Sequence, residues 1–224
     1  MNTRMNIPIA RWVLAWAGLA ALIGGLWPPA ALRAQTPSGV SGLGTAAVVN
    51  TLGAKQQIAS ATLPAEGGLM DTSLDAVTLV GTLEASALSS ITSGMMDLDR
   101  SSAQTTAEAA DVNILNGLIV AQQVVAVASS YVGGGTAASD AAGSSLLGLR
   151  VAGVSLGDVT PAPNTRMNLP GVGYAILNEQ VVTGDGLTSS GITVNMIHVV
   201  LQDALTGFKT GEITVGSARS AVGS

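Results

Sequence analysis

The chain of 224 residues carries 9 basic and 14 acidic residues and no cysteine. The absence of cysteine excludes a disulfide framework, a thiolate metal site and a cysteine nucleophile. So few basic residues cannot form the stripe that binds nucleic-acid phosphates or anionic lipid head groups. The sequence therefore predicts no nucleic-acid partner.

The first 34 residues have the layout of a secretory signal peptide. Arg4 and Arg11 flank a short polar start, and the uncharged apolar run WVLAWAGLAALIGGLW spans Trp12–Trp27. Pro28 breaks any helix there, and Ala34 offers a small residue before a cut. Because the run is shorter than the roughly 17–25 residues of a spanning helix, we expect cleavage after Ala34 and no stable membrane insertion afterwards. An uncleaved anchor is the alternative.

Removal of this segment makes the chain strongly acidic. It takes away three of the nine basic residues and no acidic one, which leaves six basic against 14 acidic residues, a net charge of −8. The stretch ITVGSARSAVGS near the C-terminus has neither an apolar helix nor a basic tail, so no C-terminal anchor is expected. We predict a secreted or cell-surface protein, retained through self-association or a surface partner.

The remaining sequence favours an all-β fold, because β-branched runs separated by Gly-rich turns recur about every 8 to 15 residues. We predict a flexible lead-in over residues 35–44 and a single antiparallel β-sandwich-like domain over residues 45–224, with a β-solenoid as the alternative. The segment Ala103–Ala110 fits a helix and a strand equally well. The predicted strands are Gln56–Leu63, Ala76–Leu83, Val112–Leu115, Leu118–Ser129, Leu146–Val151, Arg166–Leu169, Tyr174–Val182, Ile192–Leu201 and Glu212–Ser217.

Two segments echo each other. AVTLVGTL (Ala76–Leu83) and DVNILNGL (Asp111–Leu118) place apolar residues at the same offsets. In the second segment, Asn116 and Gly117 favour a type I′ hairpin turn, which needs positive φ at both central residues. Two echoes are fewer than the three repeats of a stable solenoid. They predict two hairpins of one sandwich.

The pentapeptide GVSLG (Gly153–Gly157) matches the G-x-S-x-G elbow of serine hydrolases, and Asp185 and His198 follow in the order of a catalytic triad. That elbow needs a helix directly after Ser155, but Gly157 and the prolines that follow from Pro161 oppose one. A secreted serine hydrolase using Ser155, Asp185 and His198 is therefore the alternative function, and a strand, tight turn and strand is the favoured local structure.

His198 is the only histidine, and we expect it to be structural. Strict alternation over the predicted strand Ile192–Leu201 puts His198 on one face with Met196. The same alternation puts Glu179 on an apolar face with Leu177. A carboxylate on an apolar face must be paired or protonated, and the two predicted strands are hairpin neighbours. The sequence therefore predicts a structural Glu179–His198 pair.

Metal and sugar sites have little support. Asp97 and Asp99 are weak calcium candidates, because calcium takes six to eight oxygen ligands and two acids in a loop are more typical of a solvated surface. Three aromatic residues, Tyr131, Tyr174 and Phe208, argue weakly against a lectin. We predict no metal and no cofactor.

Several stretches resemble one family. LLGLRVAGVSLGDVTPAPNTRMNLPGVGYAILNEQ, SSGITVNMIHVVLQD and GEITVGSA are similar to the choice-of-anchor P proteins of bacterial surfaces. The most specific pieces are PNT (Pro163–Thr165), LNEQ (Leu177–Gln180) and TVNMIHV (Thr193–Val199), and the resemblance covers roughly residues 41–220. It implies an exported, non-enzymatic surface or extracellular-matrix protein with a structural or adhesive role, and it assigns no functional residues.

Overall fold

The computed structural model describes residues 39–51 and 53–223. The predicted signal peptide and residues 35–38 of the predicted lead-in lie outside the described residues. Within the described ranges all the regular secondary-structure elements are β-strands, joined by turns and short loops. No helix long enough and apolar enough to cross a membrane is found in this part of the chain.

The strands form two antiparallel sheets that pack face to face. Sheet A runs in the spatial order β10 (Thr165–Leu169), β11 (Gly173–Gly184), β12 (Ser189–Gln202), β13 (Lys209–Gly223), β1 (Gly39–Thr51) and β2 (Ala54–Thr62). Sheet B runs in the order β3 (Gly68–Leu79), β4 (Leu83–Met96), β5 (Arg100–Ile114), β6 (Ile119–Gly133), β8 (Ser145–Val151) and β9 (Val154–Val159), with β7 (Thr136–Asp140) also paired to β6.

This architecture confirms the predicted all-β, sandwich-like fold, and the solenoid alternative is wrong. In a solenoid each repeat contacts only its neighbours in sequence. Here β1 pairs with β13 over nearly its whole length, from Gly39 opposite Gly223 to Thr51 opposite Gly211. The first and last described strands are therefore neighbours within one sheet.

Two local expectations are corrected. Ala103–Ala110 lies within β5, where burial alternates with a period of two, so the helical alternative is wrong. Gly39–Gly44, expected in a flexible lead-in, belongs to β1, where it pairs with β13 throughout and with β2 from Leu43 onward. Both segments are rich in Gly, Ala, Ser or Thr, and their strand structure depends on pairing with neighbours more than on intrinsic preference.

The echoing segments both end in hairpin turns of sheet B. Asn116 (φ 54°) and Gly117 (φ 87°) have the positive φ values of a type I′ turn, as predicted. The other turn lies at Val80 and Gly81, so the predicted strand Ala76–Leu83 was too long and covers the end of β3, a turn and the first residue of β4.

Sheet A is creased along a line that crosses its strands. The registers place Asn178, Met196, Gly216, Ala46 and Ala59 in one row. Three residues of this row have left-handed backbone conformations, with φ of 50° at Asn178, 67° at Gly216 and 49° at Ala59. Non-glycine residues seldom adopt such values inside strands.

Sheet B bends in a similar way. Ala87, Asp111 and Gly148, on β4, β5 and β8, have φ values of 44°, 48° and 60°. The creases change which residues of a strand face the core. On β6, Ile119 and Ala121 are buried before the crease, and the even-numbered positions from Val124 onward are buried after it.

A row of buried hydroxyl side chains lies between two apolar clusters of the core. The larger cluster includes Ala218, and the smaller cluster includes Val222. At the C-terminal end of β13 the side chains of Ala218, Ser220 and Val222 are buried, and β5 and β6 repeat this order of alanine, hydroxyl and apolar residue. The hydroxyls of Ser130 and Ser220, from opposite sheets, lie 2.7 Å apart. We call Ser90, Thr92, Thr105, Ser130 and Ser220 the hydroxyl band. Every buried side-chain nitrogen or oxygen in the described part of the chain has a hydrogen-bond partner.

Candidate functional site

A cluster of polar side chains lies on the outer face of sheet A, around His198. Nδ1 of His198 lies 2.9 Å from Oε2 of Glu179 on the neighbouring strand β11. The same oxygen accepts a hydrogen bond from Nδ2 of Asn195 at 2.7 Å. The structure therefore brings together the two residues that the sequence suggested as a pair. The polar cluster comprises Asn50, Glu179, Asn195, His198, Lys209, Glu212 and Ser217.

The crease explains why these residues meet, and it corrects the predicted faces. Asn178 adopts φ 50°, and Glu179 on its far side is partly exposed, whereas Leu177 is buried in the core. On β12, Met196 and Ile197 are both fully buried. The expectation that strict alternation runs through both strands is therefore wrong. On β11 the left-handed conformation of Asn178 changes the phase of the strand, and on β12 two consecutive side chains, Met196 and Ile197, are buried at the crease.

Glu212 on β13 forms the other side of the cluster. Its Oε2 lies 3.5 Å from Nε2 of His198 and forms an ion pair with Lys209. Its Oε1 accepts a hydrogen bond from Nδ2 of Asn50 at 3.2 Å. The hydrogen bond from Lys209 lowers the pKa of Glu212 below its ordinary value, and Asn50 and His198 act in the same direction.

The arrangement fixes the imidazole from two sides and links four neighbouring strands. The side chains of His198, Glu179 and Glu212 are 17%, 20% and 27% exposed, so the cluster is shielded but open to water. Within the cluster, the hydroxyl of Ser217 donates a hydrogen bond to Oδ1 of Asn195 at 2.7 Å. Chemically the cluster is suited to holding strands β11, β12, β13 and β1 in register.

The structure does not assemble the serine triad. Ser155 is exposed on β9, an edge strand of sheet B, whereas His198 lies on β12 inside sheet A. Within residues 39–51 and 53–223, no hydrogen bond joins Ser155, Asp185 and His198. The favoured local structure is confirmed, because β8 and β9 flank a tight turn at Ala152 and Gly153.

Asp185 organises its own loop. Its Oδ1 accepts backbone hydrogen bonds from Leu187, Thr188 and Ser189 at 2.8–2.9 Å. Its Oδ2 accepts one from the hydroxyl of Thr188 at 2.6 Å. The hydroxyl bond and these backbone bonds hold the pKa of Asp185 far below its ordinary value.

The next hairpin repeats this loop. Asp203–Thr206 and Asp185–Thr188 share the sequence D-x-L-T, and Oδ1 of Asp203 accepts bonds from the backbone nitrogens of Leu205 and Thr206. Backbone and side-chain hydrogen bonds from Thr206 lower the pKa of Asp203. The repeated D-x-L-T spacing is a sequence signal for this turn that our sequence analysis missed.

The two calcium candidates lie in the exposed turn between β4 and β5. Oδ1 of Asp97 accepts a hydrogen bond from the backbone nitrogen of Leu98 at 2.8 Å, and Asp99 is exposed. The described residues contain no group of three or more His, Cys, Asp or Glu side chains that could hold a metal ion.

Comparison with protein-family models, with curated proteins and with solved structures found no match to this chain.

Proposed function

We propose that the protein is an exported, non-enzymatic surface or extracellular-matrix protein of the choice-of-anchor P type, with a structural or adhesive role. One observation carries the non-enzymatic part of this proposal. Ser155, Asp185 and His198 stand apart, and the last two are engaged in contacts that hold a loop and a set of strands. The proposal therefore assigns these residues to the framework of the fold.

The edge of sheet B supports a role in association. Among the described strands, β3 is a twelve-residue edge strand that pairs with β4 alone, and most of its residues are exposed. Leu69 and Leu74 are 66% and 42% exposed. A long edge strand offers unpaired backbone groups to a further strand. Asp71 and Asp75 on the same strand limit nonspecific pairing, as charged residues do on natural sheet edges.

Export is tested by expressing the whole chain in a bacterial host and fractionating the culture. We expect the protein outside the cytoplasm, with an N-terminus at Gln35 by mass spectrometry. A chain that still begins at Met1 and sediments with the inner membrane would contradict the proposal.

The non-enzymatic assignment is tested with the same purified protein. Generic ester and peptide substrates are incubated with the unaltered chain, Ser155→Ala and His198→Ala. We expect the same background rate for all three. Hydrolysis that disappears in both variants would establish the serine hydrolase alternative instead.

A further inference from the structure

A trough of about 450 Å³ lies on the outer face of sheet B, across β4, β5, β6 and β7. Two adjacent cross-strand rows form its floor and walls. The first row contains Ser93, Gln104, Ser129 and Asp140, each opposite the next in the strand register. The longer side chains of Gln104 and Asp140 alternate with the two serines in this row. Hydrogen-bonding groups therefore stand on both sides of the shallow floor at Ser129.

The second row adds apolar surface. It contains Met95, Ser102, Tyr131 and Ala138, again in register. Met95 is 65% exposed and Tyr131 is 42% exposed. The tyrosine ring leans along β6 over Gly133, where an added Cβ would lie within 3 Å of the phenol oxygen and its carbon. The absence of a side chain at Gly133 lets the ring lie against the sheet.

The polar groups of the trough are free for a ligand. Within the described ranges, the side chains of Gln104, Ser102 and Ser129 and the hydroxyl of Tyr131 make no hydrogen bond to the protein. Asp140 uses Oδ1 for the backbone nitrogen of Ala142 at 2.9 Å. The serines on the opposite face of the same strands differ, because Ser130 and Ser139 are bonded to each other and to further serines.

The geometry points to a binding site for a neutral carbohydrate chain. An aromatic ring packs against the C–H face of a pyranose, and its hydroxyl remains available for hydrogen bonding. The amide of Gln104 and the carboxylate of Asp140 supply donors and acceptors for sugar hydroxyls. The trough crosses four strands on an open sheet face, so it accommodates a chain of sugars.

The charges of the residues that line the trough favour a neutral carbohydrate. Among the described residues that line the trough there is no Lys or Arg, and Asp140 is the one carboxylate. An anionic polysaccharide or a nucleic acid would meet this carboxylate with no cation among the residues that line the trough. The few aromatic residues in the sequence argued weakly against a lectin, but the structure exposes one of them, Tyr131, at the trough. The inference gives the proposed adhesive role a ligand class and rests on it.

The test is affinity electrophoresis and saturation-transfer NMR on the purified full chain. The probes are soluble glucan, mannan, galactan, xylan and chito-oligosaccharides, with heparin as the anionic comparison. We expect binding to at least one neutral probe and none to heparin. Tyr131→Ala and Gln104→Ala should each weaken that binding about tenfold, and Tyr131→Phe should retain most of it.

Tyr174→Ala is the matched control, since Tyr174 lies on sheet A beneath the guanidinium of Arg166. It should leave binding unchanged, and thermal unfolding should show that all variants fold. The inference is overturned if no neutral probe binds at millimolar concentration, if heparin binds more tightly, or if Tyr174→Ala weakens binding as much as Tyr131→Ala. These measurements use purified protein, so their outcome is independent of whether the chain is exported.

Discussion

Glu179 and His198 contact each other diagonally: Nδ1 of His198 lies 2.9 Å from Oε2 of Glu179, although the residue directly opposite Glu179 is Asn195. One carboxylate oxygen thus serves both residues of β12. Because Met196 and Ile197 are both buried, Asn195 and His198 share the outer face despite an odd separation in sequence.

Removing either member of this pair should destabilise the fold. Glu179→Ala and His198→Ala are each expected to cost about 1–2 kcal/mol, because each leaves a shielded polar group without its partner. The double variant should cost at least about 0.5 kcal/mol less than the sum of the two. Urea unfolding measures all three. As a control, Glu179→Ala combined with the distant Lys55→Ala should be additive, and additive losses for Glu179 and His198 would refute the coupling.

The crease of sheet A should be intolerant of a side chain at Gly216. This residue has φ +67°, and an added Cβ would lie 2.8 Å from Cγ1 of Val124 on the opposite sheet. Backbone strain and overpacking together should make Gly216→Ala about 2–4 kcal/mol destabilising. Gly153→Ala isolates the strain, because Gly153 has φ +81° and open space around it. Its cost should be about 1 kcal/mol, and equal losses for both variants would contradict the packing argument.

Ser155 should be replaceable without consequence for stability. It is exposed on an edge strand, and such substitutions usually change the unfolding free energy by less than about 0.5 kcal/mol. Urea unfolding of Ser155→Ala provides the measurement. A loss of more than 1 kcal/mol would mean that the hydroxyl has a structural partner.

Stability should fall in acid. Hydrogen bonds hold the pKa values of Asp185, Asp203 and Glu212 below their ordinary values. The unfolded chain therefore binds protons more readily than the folded chain in this pH range. The stabilisation by these carboxylates is complete above their ordinary pKa values, 3.8 for Asp and 4.5 for Glu. It is lost as the pH falls through their lower pKa values in the folded chain. Urea midpoints measured between pH 7 and pH 2 test this.

Asp203→Asn is the companion variant for the acid experiment. An amide oxygen can accept the same backbone bonds but does not titrate. The variant should show a smaller decrease in its urea midpoint between pH 5 and pH 2 than the unaltered chain. An identical decrease would show that Asp203 does not contribute to the acid sensitivity.

The Val- and Ile-rich strands could be predicted from the sequence, and those built from small residues could not. The pattern ITVNMIHVVL correctly predicted β12, whereas no pattern predicted β1 or β4 as a strand. Many of their buried positions are occupied by Gly, Ala or Ser, which do not favour a strand as Val and Ile do. Small residues are required there because the sheets approach closely. A Cβ at Gly42 would lie 2.0 Å from Oγ1 of Thr92.

The candidate pair could be proposed from the sequence, but its surroundings could not. Hairpin adjacency was enough to bring Glu179 towards His198. The left-handed conformation of Asn178 follows from no pattern that we recognised, although asparagine tolerates it better than most residues. Periodicity arguments assume a constant phase along a strand, and a single such residue invalidates the assumption for every position beyond it.

The hydroxyl band lies between the two apolar clusters, so the two ends of the sandwich should differ in the free energy needed to separate the sheets. Water can replace a hydroxyl–hydroxyl bond at little net free energy, whereas exposing the larger apolar cluster forfeits its burial. The smaller cluster, around Val40, Val132 and Val222, lies beyond the band and can separate while the larger one stays closed. Amide hydrogens of Val40–Gly44 should therefore exchange with deuterium earlier than those of Val194–Val199, as sub-global opening predicts.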